Sequence, residues 1–250
     1  MMRLLAAMLL LFGLAGCAAT PRPAETPPAA EAGGPPPPPG AASSLRALRT
    51  GVLARPEDAA GYAALAEAAQ AAGELHEASA AIGRALAIGP PNPRWLLLQA
   101  RLALSLADPA KAATAYRAML AAEPNRIEAL TGLGVSLTLL GQHAEAEAQL
   151  RAALQQRPRD WSMRSNLGFA LVSAGDPAAA VRLLAEAERD IRAPQMAKHN
   201  LALALIATGE RERAVRLIRT DMGPTEAEQL AHDLEAYAAG LRHHPAPPPG

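Results

Sequence analysis

The sequence predicts an all-α protein built from stacked helical hairpins, and three observations support this fold class. Half of the 250 residues are hydrophobic and only 3% are aromatic, because much of the apolar fraction is alanine, the best helix former. Residues that favour strands are sparse and show no alternating runs. Small, bulky and helix-breaking residues recur every 34 residues, which is typical of repeats that each form one helical hairpin.

The 34-residue period appears in five sets of positions that keep one register without an insertion. The sets contain, in turn, a buried-type alanine, a turn residue, a helix-ending proline, a bulky apolar residue and a leucine followed by a small residue. Their members are Ala78, Ala112, Ala146, Ala180 and Ala214; Gly73, Ala107, Gly141, Gly175 and Gly209; Pro56, Pro90, Pro124 and Pro158; Ile82, Tyr116, Leu150, Leu184 and Ile218; and Leu133-Gly134, Leu167-Gly168 and Leu201-Ala202.

Each set has a physical role in a hairpin of two helices. The small residue of the first helix and the alanine of the second let the two backbones approach closely. Glycine suits the turn because it adopts a left-handed conformation at little cost. Proline ends the second helix because it cannot continue the hydrogen-bond ladder. Capping residues agree with these boundaries, since Asp58, Asn92 and Asp160 precede first helices, and Asp108 and Asp176 each precede a proline.

These sets of positions resemble the tetratricopeptide repeat (TPR). The resemblance implies a right-handed helical solenoid of about five repeats, at residues 59–92, 93–126, 127–160, 161–194 and 195–228. Residues 45–58 are expected to form a lone second helix ahead of the array. Residues 225–242 are expected to form an amphipathic capping helix, with Thr225 and Glu228 as a capping box. Residues 243–250 are interpreted as a disordered tail.

The N-terminus has the layout of a secretory signal. A positively charged start at Arg3 precedes an apolar run, Leu4 to Leu14, that is too short to span a bilayer. Leu14-Ala15-Gly16-Cys17 resembles the bacterial lipobox, which implies a signal peptide at 1–16 and lipidation of Cys17, the only cysteine of the chain. Ordinary cleavage near Ala19, with Cys17 discarded, is the alternative. Ala18, in place of a retention aspartate, implies the outer membrane with the protein facing the periplasm.

The segment 17–44 follows this signal and carries nine prolines, including Pro35 to Pro39. Such a composition cannot bury a core and favours extended polyproline II. At about 3.1 Å per residue it reaches several tens of ångströms from a membrane. We interpret it as a semi-rigid tether, with a plain flexible spacer as the alternative.

Charge and motif content argue against several classes of function. The 24 basic residues balance the 24 acidic ones and form no basic stripe, so no nucleic-acid partner is expected. The six histidines are scattered, and no paired cysteines, HExxH, GxxxxGK[ST] or GxSxG motif occurs. We therefore expect no catalytic residues, no metal, no cofactor and no small-molecule substrate. An enzyme without a recognisable motif, or a regulatory subunit of one, is the remaining alternative.

The resemblance to tetratricopeptide repeats also implies a concave groove lined by first helices, where protein partners bind. Positions 5 and 6 supply polar side chains, and the two asparagines there could pair with an extended peptide backbone. The remaining positions supply an apolar floor with one aromatic ring. The alternative is that these residues only pack at the interface between adjacent repeats and bind no partner. The candidate groove residues are Thr131, Val135, Asn166, Phe169, Val172, His199, Asn200, Leu203 and Ile206.

The C-terminal third has a more specific resemblance. Asn166-Leu167-Gly168, Asn200-Leu201-Ala202-Leu203, the arginine-rich segment 216–222 and the acidic final helix are similar to the TadD-type lipoproteins of tight-adherence (Flp) pilus assembly. The resemblance implies a lipid-anchored adaptor that binds a secretin or pilus-assembly component. A general envelope scaffold, or a pilotin-like lipoprotein of another secretion or pilus system, is the alternative. The adaptor and the scaffold differ in client specificity, because loss of the adaptor is expected to remove one appendage, whereas loss of a scaffold is expected to disturb the envelope broadly.

Overall fold

The computed structural model describes residues 41–243, and this part of the chain folds into helices with no strand. The expected signal peptide, Cys17, most of the tether and the tail beyond 243 lie outside the described residues. The helices are α1 (Ala41–Ala54), α2 (Ala59–Ala71), α3 (Leu75–Ile88), α4 (Pro93–Ser105), α5 (Pro109–Ala122), α6 (Ile127–Leu139), α7 (His143–Gln156), α8 (Trp161–Ser173), α9 (Pro177–Leu184), α10 (Gln195–Ala207), α11 (Arg211–Ile218) and α12 (Pro224–His243).

The helix order follows the period seen in the sequence. The first helices of successive hairpins begin at residues 59, 93, 127, 161 and 195, and the second helices begin at 75, 109, 143, 177 and 211, so both series advance by 34 residues. The first helices all have 13 residues. The second helices α3, α5 and α7 have 14 residues, whereas α9 and α11 have only eight.

Side-chain caps fix several of these helix starts, as the sequence predicts. Asp58 accepts a hydrogen bond from the backbone N–H of Gly61 at 2.8 Å, and Asn92 accepts one from Trp95 at 3.0 Å. Asp160 accepts from Ser162 and Met163, and Asp176 accepts from Ala179 at 2.9 Å. Each cap satisfies an N–H group that has no partner within its own helix.

The turn inside each hairpin requires a left-handed residue. The φ angles are positive at Gly73, Gly141, Gly175 and Gly209, between 73° and 90°, and Ala107 at the same repeat position has φ 57°. A non-glycine residue in this region costs roughly 1 kcal/mol. The turn geometry is therefore kept at Ala107 even where the sequence does not supply the glycine.

Small residues set the distance between the two helices of a hairpin. A Cβ atom added to Gly134 on α6 would lie 2.5 Å from Cγ of Leu150 on α7. One repeat later, a Cβ atom on Gly168 would lie 2.5 Å from Cδ1 of Leu184 on α9. The predicted small and bulky positions thus face each other, and the bulky side chain fills the space that the glycine leaves.

The chain divides into two compact units, with the boundary between Asp108 and Pro109. In the N-terminal unit, α1 to α4 share one apolar core that includes Leu45, Leu65, Ile82 and Leu102. Arg49 on α1 forms ion pairs with Glu74 and Glu77, the latter at 2.6 Å, and so ties α1 to the α3 region. The helix that the sequence places at 45–58 begins at residue 41 and ends at Ala54.

The C-terminal unit contains α5 to α12. Its largest cluster of buried side chains runs from Val135 through α8 and α10 to Leu234 and Tyr237 of α12. The final helix begins at Pro224, one residue before the expected start. The backbone N–H of Gly223, the residue before the helix, donates to the Glu226 carboxylate at 3.0 Å, whereas Glu228 forms an ion pair with Arg211. The expected capping box of Thr225 and Glu228 is therefore wrong, because Glu226 occupies the capping position.

The close approach of α6 and α7 leads to a prediction about Ala146. Its side chain is fully buried on α7, and the same helix carries the exposed Ala148. We expect Ala146→Leu to lower the free energy of unfolding by roughly 1–3 kcal/mol, because the larger side chain forces the helices apart. Ala148→Leu is the matched control and should change it by less than about 0.5 kcal/mol. Chemical denaturation followed by circular dichroism measures both, and equal stability of the two variants would contradict the packing described.

Candidate functional site

The predicted groove residues lie on the first helices α6, α8 and α10 of the C-terminal unit. In α8, nine of the 13 residues are buried, including every residue from Ser165 to Val172. In α10, nine of the 13 are buried, including every residue from His199 to Ile206. A run of eight buried residues covers all sides of a helix, so these two helices are enclosed by their neighbours.

The apolar part of the predicted groove forms one contiguous cluster. Phe169 and Val172 of α8, Leu203 and Ile206 of α10, and Val135 of α6 belong to the same set of packed, buried side chains. The structure therefore brings the five predicted apolar residues together. It also buries them, and Phe169 is only 1% exposed.

The final helix covers part of this floor. Ala227, Ala231, Leu234, Tyr237 and Ala238 lie on one face of α12 and join the same cluster as α8 and α10. The ring of Tyr237 stacks on the ring of Phe169, with centroids 6.1 Å apart and an angle of 27° between the planes. An offset stack of this kind contributes about 0.5–1.5 kcal/mol beyond burial. Helix α12 therefore reaches past α10 to α8.

The hydroxyl group of Tyr237 is also held in the cluster. Burial raises the pKa of Tyr237 to about 12, against a smaller opposite effect from the nearby hydroxyl group of Ser173. The sequence analysis did not select these two residues. Tyr237 could have been noticed in the sequence because it is the single aromatic residue of the predicted capping helix. Its contact with Phe169 on α8 could not be predicted from the repeat pattern.

The predicted polar groove residues differ in their surroundings. The side-chain nitrogen of Asn200 donates to the backbone oxygen of Ser165 at 3.1 Å and to its hydroxyl oxygen at 2.7 Å, so this amide links α10 to α8. Within residues 41–243, Oδ1 of Asn166 and Nε2 of His199 have no hydrogen-bond partner, and Oγ1 of the partly buried Thr131 also has none. Buried polar atoms of this kind cost free energy until a partner satisfies them.

Burial also sets the charge state of His199. Loss of hydration lowers the pKa of His199, Asp221 opposes this effect, and the positive charge of Lys198 adds to it. The Lys198 ammonium group is paired with Asp221 at 2.8 Å. The imidazole is therefore neutral at pH 7, with one ring nitrogen as an acceptor and the other as a donor.

One part of the groove remains open beside α12. A cavity of about 280 Å³ lies at the C-terminal ends of α8, α10 and α12, next to the turn that starts α9. Its walls are mostly apolar or small, and the floor residue Val172 contributes to them. The lining residues are Val172, Ser173, Gly175, Pro177, Ala207, Ala238 and Leu241.

Neither a metal-binding cluster nor a membrane-spanning helix occurs among the described residues. No group of three or more His, Cys, Asp or Glu side chains comes close enough to hold a metal ion in this part of the chain. None of the helices described is both long and apolar enough to cross a membrane. The assignment of partner binding to the nine groove residues stays a prediction.

Comparison with known proteins supports the repeat architecture. A family model for the tetratricopeptide repeat matches residues 97–160 and 140–197. A search of curated proteins found no match. The predicted fold class is confirmed by the family match, by the helix order and by likeness to solved structures.

Three of these solved structures illustrate the likeness. A tetratricopeptide repeat protein from Parabacteroides merdae is 16% identical with a TM-score of 0.57, covering 80% of this chain and 78% of its own. YrrB, described as a TPR protein with an unusual peptide-binding site, is 19% identical with a TM-score of 0.53. The match covers 80% of this chain and 97% of YrrB. PilF from Pseudomonas aeruginosa is 21% identical with a TM-score of 0.54, and the match covers 76% of this chain and 93% of PilF. At these identities the likeness concerns the fold.

The contact between α12 and α8 leads to a prediction about alkaline pH. Above pH 10 an unfolded chain loses the Tyr237 proton, whereas the folded chain keeps it up to pH 12. The folded state then binds more protons, so stability falls as the pH rises from about 10 to 12, by roughly 2–3 kcal/mol. We expect Tyr237→Phe, which keeps the ring stack, to remove that part of the loss. Denaturation curves at several pH values measure it, and identical pH profiles for both proteins would contradict the buried hydroxyl.

Proposed function

Because the chain is a tetratricopeptide-repeat protein, a scaffold for protein–protein interaction, we propose that it is a membrane-anchored adaptor of the bacterial envelope. In this proposal it binds an envelope protein through the concave surface of its C-terminal repeats. The client is a secretin or another component of the Flp, or tight-adherence, pilus, and the adaptor assists its assembly. The protein acts through binding and not through catalysis.

The observation that carries the proposal is the apolar cavity beside α12. Its walls, from Val172, Ala207 and Leu241, continue the buried floor formed by Phe169 and Leu203. A volume of about 280 Å³ accommodates a bulky apolar side chain from a partner. Binding energy at protein interfaces concentrates in such anchor pockets, while the surrounding contacts mainly exclude water.

Helix α12 indicates what kind of segment suits this surface. It lays one apolar face, including Leu234 and Tyr237, against α10 and α8, as an amphipathic helix does in a hydrophobic groove. A client that reaches Phe169 must displace the end of α12, whereas a client that inserts one side chain into the cavity need not. We therefore propose that the client contributes an apolar anchor beside α12. The peptide-binding site described for YrrB is a precedent in a protein of similar fold.

The membrane anchor is the second part of the proposal. Lipidation of Cys17 and the proline-rich tether 17–44 would hold the repeats at a distance from the outer membrane, facing the periplasm. Stable anchoring requires more than one acyl chain, which a triacylated cysteine supplies. The resemblance of Asn166-Leu167-Gly168 and Asn200-Leu201-Ala202-Leu203 to TadD-type lipoproteins is what directs the proposal to the Flp pilus.

A test of the proposal needs a variant that blocks the cavity without unfolding the protein. Phe169→Asp is unsuitable because it would bury an unpaired charge in the core. Ala207 lines the cavity and is only partly buried, so Ala207→Glu should place its carboxylate at the cavity mouth. Ala148→Glu on the exposed face of α7 is the matched control.

We expect deletion of the gene to abolish surface Flp pili and to reduce secretin multimers in the outer membrane. The wild-type chain and Ala148→Glu should restore both, whereas Ala207→Glu should restore less than about a tenth of the pili, and Cys17→Ser should fail to fractionate with the outer membrane. Pilin in sheared fractions and secretin multimers on gels measure these effects. Normal piliation in the deletion strain would contradict the proposal, and broad envelope defects would favour a general scaffold.

A further inference from the structure

The fourth repeat departs from the regular hairpin at the end of its second helix. Helix α9 stops after eight residues at Leu184, a 3-10 turn covers Ala185–Glu188, and residues 189–194 form a loop. The equivalent helix α7 continues for 14 residues. The proline of the repeat, Pro158 in the preceding unit, is replaced by Arg192. We call residues 189–194 the break loop.

Asp190 holds the break loop in a defined conformation. Its Oδ1 accepts hydrogen bonds from the backbone N–H of Arg192 at 2.9 Å and from Nε of Arg192 at 3.1 Å. Its Oδ2 accepts from the indole N–H of Trp161 at 3.2 Å. The hydrogen bonds from Arg192 lower the pKa of the Asp190 carboxyl group, so it is ionised at neutral pH. The loop is therefore preorganised against the first residue of α8.

This arrangement directs Ile191 into solvent. Its side chain is 96% exposed, which is the highest exposure among the large hydrophobic residues described. A single exposed isoleucine is unremarkable on a protein surface. Here, however, its two neighbours are fixed by hydrogen bonds, and the ring of Trp161 lines a cavity next to the same loop.

Two cavities flank the break loop and are rich in arginine. One, of about 450 Å³, is lined by Arg159, Trp161, Arg164, Glu186, Asp190 and Arg192. The other, of about 570 Å³, is lined by Ala185, Glu186, Glu188, Arg189, Asp190, Arg192 and Arg213. Together they present five guanidinium groups and three carboxylates. The surface around the loop therefore has an excess of positive charge.

The excess charge belongs to two particular arginines. Arg164 pairs with Glu186 at 2.6 Å and lies 4.8 Å from the centre of the Trp161 ring. Arg192 pairs with Asp190, and Arg213 pairs with Glu188 at 2.6 Å.

Arg159 and Arg189, which are exposed, form no ion pair within residues 41–243. One lies in each cavity, so the two free guanidinium groups flank the loop that carries Ile191.

We propose that the break loop and its two cavities form a second docking site, separate from the groove, for an acidic segment of a partner protein. The segment presents a large apolar side chain between carboxylates. The apolar side chain packs on Ile191 and Trp161, and the carboxylates pair with Arg159 and Arg189. Arginine suits this role because its planar group binds a carboxylate through two parallel hydrogen bonds.

Charge favours a protein segment over a lipid surface as the occupant. Anionic membranes attract clusters of about four to eight basic residues. Here the surplus is two positive charges, and three carboxylates line the same surface. A short acidic segment with an apolar centre matches this pattern in both charge and size.

The site can be tested with a labelled probe peptide of sequence GEELEEG and the full-length chain in detergent, by fluorescence anisotropy. We expect saturable binding that weakens as salt is added, because the pairing is partly Coulombic. Arg159→Gln combined with Arg189→Gln should weaken binding at least tenfold, and Ile191→Ser about threefold or more. The peptides GQQLQQG and GEESEEG should bind correspondingly weakly.

Matched controls come from exposed residues of the N-terminal unit. Leu53 is 80% exposed and tests the effect of removing an apolar side chain, so Leu53→Ser should bind the probe as the wild type does. Arg101→Gln removes an exposed arginine that lines neither cavity and should also leave binding unchanged. All substituted side chains are exposed, so circular dichroism should show unaltered helix content.

Three results would overturn the proposal. The first is equal binding of GEELEEG by the wild type and the double arginine variant. The second is equal binding of GEELEEG and GQQLQQG. The third is that GEELEEG does not bind the wild type, while the wild type binds phosphatidylglycerol vesicles and the double arginine variant does not. This result would assign the surface to a membrane. None of these results depends on the cavity beside α12, so they leave the adaptor proposal to its own test.

Discussion

The close packing of two helices at an alanine is the constraint on which the repeat structure depends. Ala78, Ala112, Ala146, Ala180 and Ala214 are all fully buried and lie 34 residues apart. In α6–α7 and α8–α9 a glycine of the first helix faces a leucine of the second helix, and the absence of a glycine side chain leaves the space that the leucine fills. A residue inserted within a helix would rotate the side chains that follow it in that helix by 100° around the axis, so the small and bulky residues would no longer face each other.

The same close packing leaves the first helices of the C-terminal unit with little free surface. In α8 and α10 the residues from Ser165 to Val172 and from His199 to Ile206 are buried on all sides. Polar groups are therefore enclosed together with apolar ones. The side-chain nitrogen of Asn200 bonds across to Ser165, while Oδ1 of Asn166 and Nε2 of His199 have no hydrogen-bond partner within residues 41–243.

The sequence was sufficient for the repeats because their signals are local. A cap such as Asp160, a turn residue such as Gly175 and a helix-ending proline act within a few residues, so the pattern places the helices directly. Long-range contacts were not accessible in this way. The stack of Tyr237 on Phe169 joins residues 68 positions apart and depends on the path of α12.

The burial of the predicted floor changes how groove residues should be selected in such an array. Repeat position alone assigns Phe169 and Leu203 to a binding surface, but the capping helix takes the place of a further repeat and covers them. The cavities described above lie where the regular packing stops. This happens at the ends of α8, α10 and α12, and again where α9 gives way to the break loop. In the C-terminal unit the regular repeats supply the packed core, and the positions where the repeat pattern ends supply the cavities that are open to a partner.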